Sequence, residues 1–286
     1  MILITGATGN LGSSVIAQLL KVTTKDKFVT TSSNENGVKK LTEQGVNSRL
    51  ANFTDTASLN KAFHGIEKVL LISTMDQNRL EQHKNVIDAA KKQGVKHIVY
   101  TSLAIKNIQT SAVKDLMISH FQTEDYIKAS GLTYTILRNT MYADALVQIL
   151  GENVINQDIN LPGGNGKVPY ALRREMGEAT ANLLLQDGHE NKTYNITGSQ
   201  NFGYQEIATA LSNFTGKTIK YNDISEVALK SFLNQIGFPD FAIYLHSGTI
   251  YDIKMHQYEL ESNMLETLLG RSTASLNDFI KELFNL

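Results

Sequence analysis

Short apolar runs alternate with amphipathic stretches along the first half of the chain. Ile2–Thr5, Phe28–Thr31, Val46–Leu50, Lys68–Ile72, His97–Thr101 and Tyr134–Leu137 read as strands. Between them, residues 10–21, 35–44, 56–63, 78–93 and 113–130 read as helices; in the first, Leu11, Val15, Leu19 and Leu20 recur at helical spacing. Strands that alternate with helices in this way predict a parallel sheet covered on both faces. Right-handed crossovers then make it a doubly wound α/β sheet. Its ligand crevice lies outside the carboxyl ends of the strands, so Gly6–Gly12, Thr31–Asn34, Ser73–Met75, Thr101–Leu103 and Arg138–Tyr142 are expected to converge.

The rhythm changes after about residue 140. Leu161-Pro162-Gly163-Gly164-Asn165-Gly166 is the densest turn signal in the chain. A strand is expected at Lys167–Tyr170, a helix at 174–186, a strand at Tyr194–Thr197, a helix at Tyr204–Phe214 and a strand at Ile219–Tyr221. Residues 225–286 read as mostly helical with a break at Gly237-Phe238-Pro239. The division predicted is a nucleotide-binding domain over 1–150 and a smaller mixed α/β lobe over 151–286, interleaved with the sheet.

Composition removes whole classes of function. Lys and Arg total 27 against 28 Asp and Glu, and the basic residues are scattered, so no nucleic-acid footprint is present. The chain has no cysteine, which excludes disulfides, thiolate metal sites and cysteine nucleophiles. None of the seven histidines falls at a metal-binding helical spacing, so no metal is expected. No apolar run approaches a membrane span. With a strand expected from the first residues, no leader peptide is expected either, and the reading is a soluble cytoplasmic protein, monomer or homodimer. A Gly-x-Ser-x-Gly elbow and a Walker lysine are both lacking, against a hydrolase or kinase.

The positive chemistry begins in the first strand–turn–helix. Glycines at 6, 9 and 12 give positive φ, close backbone approach and tight helix packing, while the helix start presents free N–H groups to a pyrophosphate. The other meaning of such spacing is a tight structural turn. After the second strand, an acid favours NAD and an Arg favours the 2′-phosphate of NADP. The chain reads Thr30-Thr31-Ser32-Ser33-Asn34-Glu35 there, which leaves the choice open. Ser73 and Thr74 end the fourth strand with hydroxyls suited to a ribose or nicotinamide, or to an ordinary strand cap. Ser102 ends the fifth. His120 and Glu124 share one face of the next helix, where Glu124 is expected to raise the His120 pKa in a proton relay, unless the two form a plain helix-surface pair. Arg138 and Asn139 end the sixth strand; Arg138 is placed to contact a phosphate or to tie the lobes together through a carboxylate. Met141 and Tyr142, with Met75 and Phe238, offer flat apolar surface to an aromatic ring, although core filling is the commoner fate of such residues.

Thr5-Gly6-Ala7-Thr8-Gly9-Asn10-Leu11-Gly12, Leu71-Ile72-Ser73, Tyr100-Thr101-Ser102, His120 through Glu124 and Leu137-Arg138-Asn139 together resemble the NmrA-like atypical short-chain dehydrogenases/reductases. Within that family the chain is most similar to type-2 NAD(P)H:quinone oxidoreductases and triphenylmethane reductases, nearly end to end. The resemblance implies a Rossmann-type fold, NADPH in the crevice as the preferred cofactor with NADH as the alternative, and hydride transfer to a quinone-like or conjugated aromatic acceptor. It places cofactor contacts on Gly6, Ala7, Thr8, Gly9, Asn10, Leu11, Ser33, Ser73, Thr74, Met75, Arg138, Asn139, Thr140, Met141 and Tyr142. It also implies that no Tyr-x-x-x-Lys pair is needed; protons come from water through Ser102, His120 or Tyr142, the catalytic candidates. One departure stands out: where the quinone reductases place an Arg for the 2′-phosphate, this chain has Ser33. The competing expectation is a family member that binds a dinucleotide and senses redox state without turnover.

Overall fold

The computed structural model describes residues 1–286, the side chain of Glu152 excepted. The first half alternates strand and helix: β1 (Ile2–Ile4), α1 (Asn10–Val22), β2 (Phe28–Ser32), α2 (Glu35–Glu43), β3 (Ser48–Leu50), α3 (Thr56–Ala62), β4 (Lys68–Leu71), α4 (Arg79–Lys92), β5 (His97–Leu103), α5 (Lys114–Ser130) and β6 (Thr133–Asn139). Then follow α6 (Leu146–Leu150), β7 (Ile159–Asn160), α7 (Arg173–Leu184), β8 (Lys192–Ile196), α8 (Tyr204–Thr215), β9 (Tyr221–Asn222), α9 (Glu226–Gln235), α10 (Asp240–Lys254), α11 (Met264–Leu269) and α12 (Leu276–Phe284).

Seven strands form one sheet in the order β3-β2-β1-β4-β5-β6-β8, and every pairing in it is parallel. Strand order reverses between β1 and β4, which is where a doubly wound sheet opens its crevice. Alternation along each strand divides the core. Ile4, Leu70, Val99 and Leu137 face Val15 and Leu19 of α1, Met176 of α7 and Leu265 of α11. Leu3, Val69, Leu71 and Ile98 face Leu59 of α3, Val86 and Ile87 of α4, and Ile127 of α5. A third core, around Leu146, Leu172, Ile207, Leu211, Ile250 and Phe279, belongs to the C-terminal elements.

The elements after residue 150 are divided between the main sheet and a core of their own. The strand expected at Tyr194–Thr197 is β8, and it joins β6 as the seventh strand of the main sheet. Helix α7 lies along α1 in the same direction: a Cβ on Gly177 would stand 2.4 Å from Ser14 Cβ, and Gln18 donates to Asn182 at 3.4 Å. The strand expected at Lys167–Tyr170 does not form. Only Val168 makes a bridge, to Phe202, because Pro169 has no N–H to add to a ladder. The strand expected at Ile219–Tyr221 starts later, as β9, and pairs with β7, which is too short to show a period of its own. Among the described residues no helix is long and apolar enough to cross a membrane, and no group of His, Asp and Glu is arranged to hold a metal.

Candidate dinucleotide site

Thr5 ends β1 by fastening it to β4: its hydroxyl donates to the Leu70 carbonyl at 3.0 Å and accepts the Ile72 N–H at 3.0 Å. The chain then reverses through Gly6, whose φ of +61° lies in the left-handed region that suits glycine. Gly9 N–H closes the turn on Gly6 O at 3.0 Å. A Cβ on Gly12 would come 2.2 Å from the same oxygen, so the first turn of α1 lies directly on this loop. The N–H groups of Thr8, Asn10 and Leu11 make no hydrogen bond among the described residues. They stand at the positive end of a 13-residue helix whose N-cap, Gly9, brings no side chain to satisfy them.

A cleft of about 630 Å³ opens over this turn. Gly6, Thr8, Ser33, Thr74 and Met75 line it, so five of the residues singled out from the sequence meet in one place. Met75 is 59% exposed at the rim. Ser73 stands beside it, its N–H held by Thr101 Oγ1 at 2.9 Å. Ala7 and Leu11 turn their side chains into the core, while Gly9 and Asn10 are exposed at the helix start. The cleft also takes in Asn52, Phe53 and Thr54 after β3, and Asp76 and Gln82 at the start of α4, which the sequence reading did not name. The β3 residues were within reach of the same rule, since they follow the carboxyl end of an expected strand.

The end of β6 lies two strands beyond β4 at the same edge of the sheet and does not line this cleft. Asn139 Nδ2 donates to the Tyr142 hydroxyl at 3.3 Å. The Arg173 guanidinium lies 4.3 Å over the Tyr142 ring and forms no ion pair among the described residues. Because α7 runs parallel to α1, Arg173 opens its helix at the end where α1 begins. Arg173 was not among the residues picked from sequence, and an isolated Arg in a helical stretch carries no signal there. Asn139 Oδ1 and Thr140 Oγ1 are buried without a partner. Each unpaired buried group costs about 1–3 kcal/mol, which a polar ligand would recover. A glycine-opened turn with open N–H groups, and two unpartnered polar atoms along the same edge, fit a dinucleotide.

The proton relay expected from the α5 pair is corrected. Glu124 is 1% exposed and accepts a forked pair from Arg138, Nε to Oε1 at 2.9 Å and Nη2 to Oε2 at 2.7 Å. Ser102 Oγ donates to Oε1 at 2.6 Å, and the Arg138 fork lies over the Phe121 ring. This hydrogen bond with Glu124 raises the Arg138 pKa. His120 does not touch Glu124; its Nδ1 meets the Tyr100 hydroxyl at 3.0 Å. Burial, with Arg79 and His83 close by, pushes the His120 pKa well below its ordinary value, the opposite of the effect expected from Glu124. Burial also raises the Tyr142 pKa. Ser102 is thus engaged by Glu124 and His120 by Tyr100, so the His120–Glu124 pair expected from spacing does not form.

Arg79, at the start of α4, is fully buried and forms no ion pair among the described residues. Its Nε donates to the Thr74 carbonyl, Nη1 to the Leu116 carbonyl at 3.1 Å and Ser119 Oγ at 2.9 Å, and Nη2 to Met75 Sδ at 3.6 Å. The guanidinium thereby pins the Thr74–Met75 wall of the cleft to α5. Desolvation makes such a cation costly, so the array of carbonyl and hydroxyl acceptors is what permits it.

A parallel sheet with a glycine turn at its switch point defines a dinucleotide-binding protein of the doubly wound class. The chain belongs to the NmrA-like family, which it matches over residues 1–267. It is 34% identical over 288 residues to quinone oxidoreductase 2 of Escherichia coli, covering all of this chain and 99% of that protein. The crystal structure of that NADPH-dependent enzyme with NADPH superposes with a TM-score of 0.92 over the whole of both chains. Triphenylmethane reductase of Citrobacter sp. gives a TM-score of 0.92 at 34% identity, over 100% of this chain and 99% of the other, and it too has been solved with NADP(H).

Proposed function

We propose that this chain is an NAD(P)H-dependent reductase that delivers a hydride to a quinone-like or conjugated aromatic acceptor. The observation that carries the reading is the glycine turn with its unbonded N–H groups opening into a cleft walled by Ser33, Thr74 and Met75. In support, its relatives of similar length are named for reducing quinones and triphenylmethane dyes. The turn from Gly6 to Leu11 would hold the pyrophosphate, Ser73–Met75 the nicotinamide side, and Arg138–Tyr142 further parts of the cofactor. A reduced nicotinamide bound there supplies the hydride. Arg79 keeps the Thr74–Met75 wall in place, and Met75 presents apolar surface against which a flat acceptor can lie. Positioning carries most of the acceleration, because such acceptors need no protein acid to become electrophilic. On this reading the protein works in the cytoplasm on a small diffusible acceptor, as a monomer or homodimer.

Purified protein with NADH or NADPH and a panel of benzoquinones, naphthoquinones and cationic dyes tests the proposal through cofactor absorbance. Acceleration over buffer is expected, and Ser102→Ala, His120→Gln and Tyr142→Phe should each keep kcat within about tenfold, since removing a general acid or base costs about 10²–10⁴. A thousandfold loss in any of them would restore an acid–base role. Tight cofactor binding with no turnover across the panel would favour the redox sensor.

A further inference from the structure

We infer that the adenosine end of the cleft selects a ribose with a free 2′-hydroxyl, so that NADH serves this chain better than NADPH. The inference rests on the dinucleotide reading above and adds to it the identity of the cofactor. The ribose of a dinucleotide lies against the residues that follow the second strand. Here these are Ser33, Asn34 and Glu35, all exposed. A 2′-phosphate carries close to two negative charges and is normally met by a guanidinium or ammonium group. None lines this cleft: Asp76 is the one ionisable side chain among its thirteen lining residues, and it is an acid. The N–H of Asn78 donates to its carboxylate at 2.7 Å and holds its pKa below the usual range, so the charge it brings is negative.

Neither lysine of α2, Lys39 or Lys40, lines the cleft, and the start of that helix is a poor substitute for a cation. The start of α2 would attract an anion, but the Asn34 side chain already accepts the Gly37 N–H at 2.9 Å, and Glu35 places a carboxylate in the first turn. A Cβ on Gly37 would stand 2.0 Å from Ser32 Oγ and 3.4 Å from Thr8 Cγ2, so the helix start lies against the cleft floor. The lysines of α2 lie a turn further on, where Lys39 reaches Glu43 at 3.9 Å. Lys25 sits at the far end of the helix, its Nζ 2.6 Å from where a Gly45 Cβ would be. A 2′-hydroxyl, by contrast, finds the Ser33 hydroxyl as donor or acceptor. The E. coli relative is solved with NADPH, so the preference belongs to this chain's own residues after β2.

Calorimetric titration with ADP-ribose and with 2′-phospho-ADP-ribose separates cofactor choice from turnover. The wild-type protein should bind ADP-ribose at least tenfold more tightly. Ser33→Arg and Glu35→Gln, both at exposed positions, should move the ratio toward the phosphorylated compound, Ser33→Arg by tenfold or more. The ratio of kcat/KM for NADH and NADPH should follow the same order. Equal or tighter binding of 2′-phospho-ADP-ribose by the wild type overturns the inference while leaving the dinucleotide site standing. Binding of neither compound overturns the dinucleotide reading and the inference together.

Discussion

Gly9 and Gly12 are both small for the sake of the same loop, yet substitution should harm them differently. A side chain on Gly12 strikes the Gly6 carbonyl, so Gly12→Ala must push α1 off the turn and should lower unfolding stability by about 1–3 kcal/mol, read as a shifted denaturation midpoint. Gly9 is the N-cap of α1 with φ −82°, a conformation any residue adopts; a Cβ there would stand 3.3 Å from the Gly6 carbonyl oxygen, a contact that a small shift relieves, and Asp is a favoured N-cap. Gly9→Asp should therefore fold normally and place a carboxylate where the pyrophosphate would go. Arg79 has the opposite legibility: the glycines announce themselves by spacing, whereas Arg79 looks like any polar residue at a helix start. Its role exists only because the chain folds Thr74, Met75, Leu116 and Ser119 around one guanidinium. Arg79→Lys keeps the charge but has no planar fork, so a loss of about 2 kcal/mol or more is expected in chemical denaturation. An unchanged midpoint would mean the wall is held by other contacts.

At the level of elements, the six strands of the first half and their helices were legible because buried strands and amphipathic helices leave periods of 2 and 3.6 in the sequence. β7 and Lys167–Tyr170 were not, one being two residues long and the other interrupted by Pro169. Helix α5 was placed within a residue, but what its polar face does was misread. His120 and Glu124 share that face, and spacing alone cannot say that Tyr100 and Arg138 arrive from β5 and β6 to claim one each. The resulting cluster of His83, Tyr100 and His120 beside Arg79 has a consequence for acid stability. Burial, then Arg79, lowers the His83 pKa to about 3, and His120 shifts the same way. The unfolded chain takes up protons on both as pH falls below 6.5, whereas the folded chain does not until far lower. Their contribution to stability is thus complete above pH 6.5 and is lost as pH falls toward the folded values. For His83 the slope is about 1.4 kcal/mol per pH unit, or about 2 kcal/mol by pH 5, and His120 adds in the same direction. Urea unfolding at pH 7 and pH 5 should show this fall, and His83→Gln should flatten it; a flat profile in the wild type would contradict the buried neutral cluster.

For the whole molecule, the order of the chain and the order in space differ. Residues after 150 supply β8 to the sheet and α7 and α11 to the face shared with α1. A fragment ending at Leu150 would leave Val15, Leu19 and Leu137 without that cover, so it should show no cooperative unfolding transition by circular dichroism; a sharp transition would show that the first half folds alone. The same interleaving brings Arg173 to the end of α7 nearest the start of α1, which no local reading of the sequence could supply. On the proposed function, a reduced dinucleotide held by the glycine turn passes its hydride to an acceptor in the cleft. Single-turnover mixing of the protein, loaded with reduced dinucleotide, against benzoquinone tests it most directly, with Gly9→Asp alongside. Rapid oxidation is expected of the wild type and oxidation at the buffer rate of Gly9→Asp, with a cooperative unfolding transition in both. Bound reduced dinucleotide that survives benzoquinone at the buffer rate in the wild type, or a folded Gly9→Asp that oxidises it equally fast, would rule out hydride transfer from this turn.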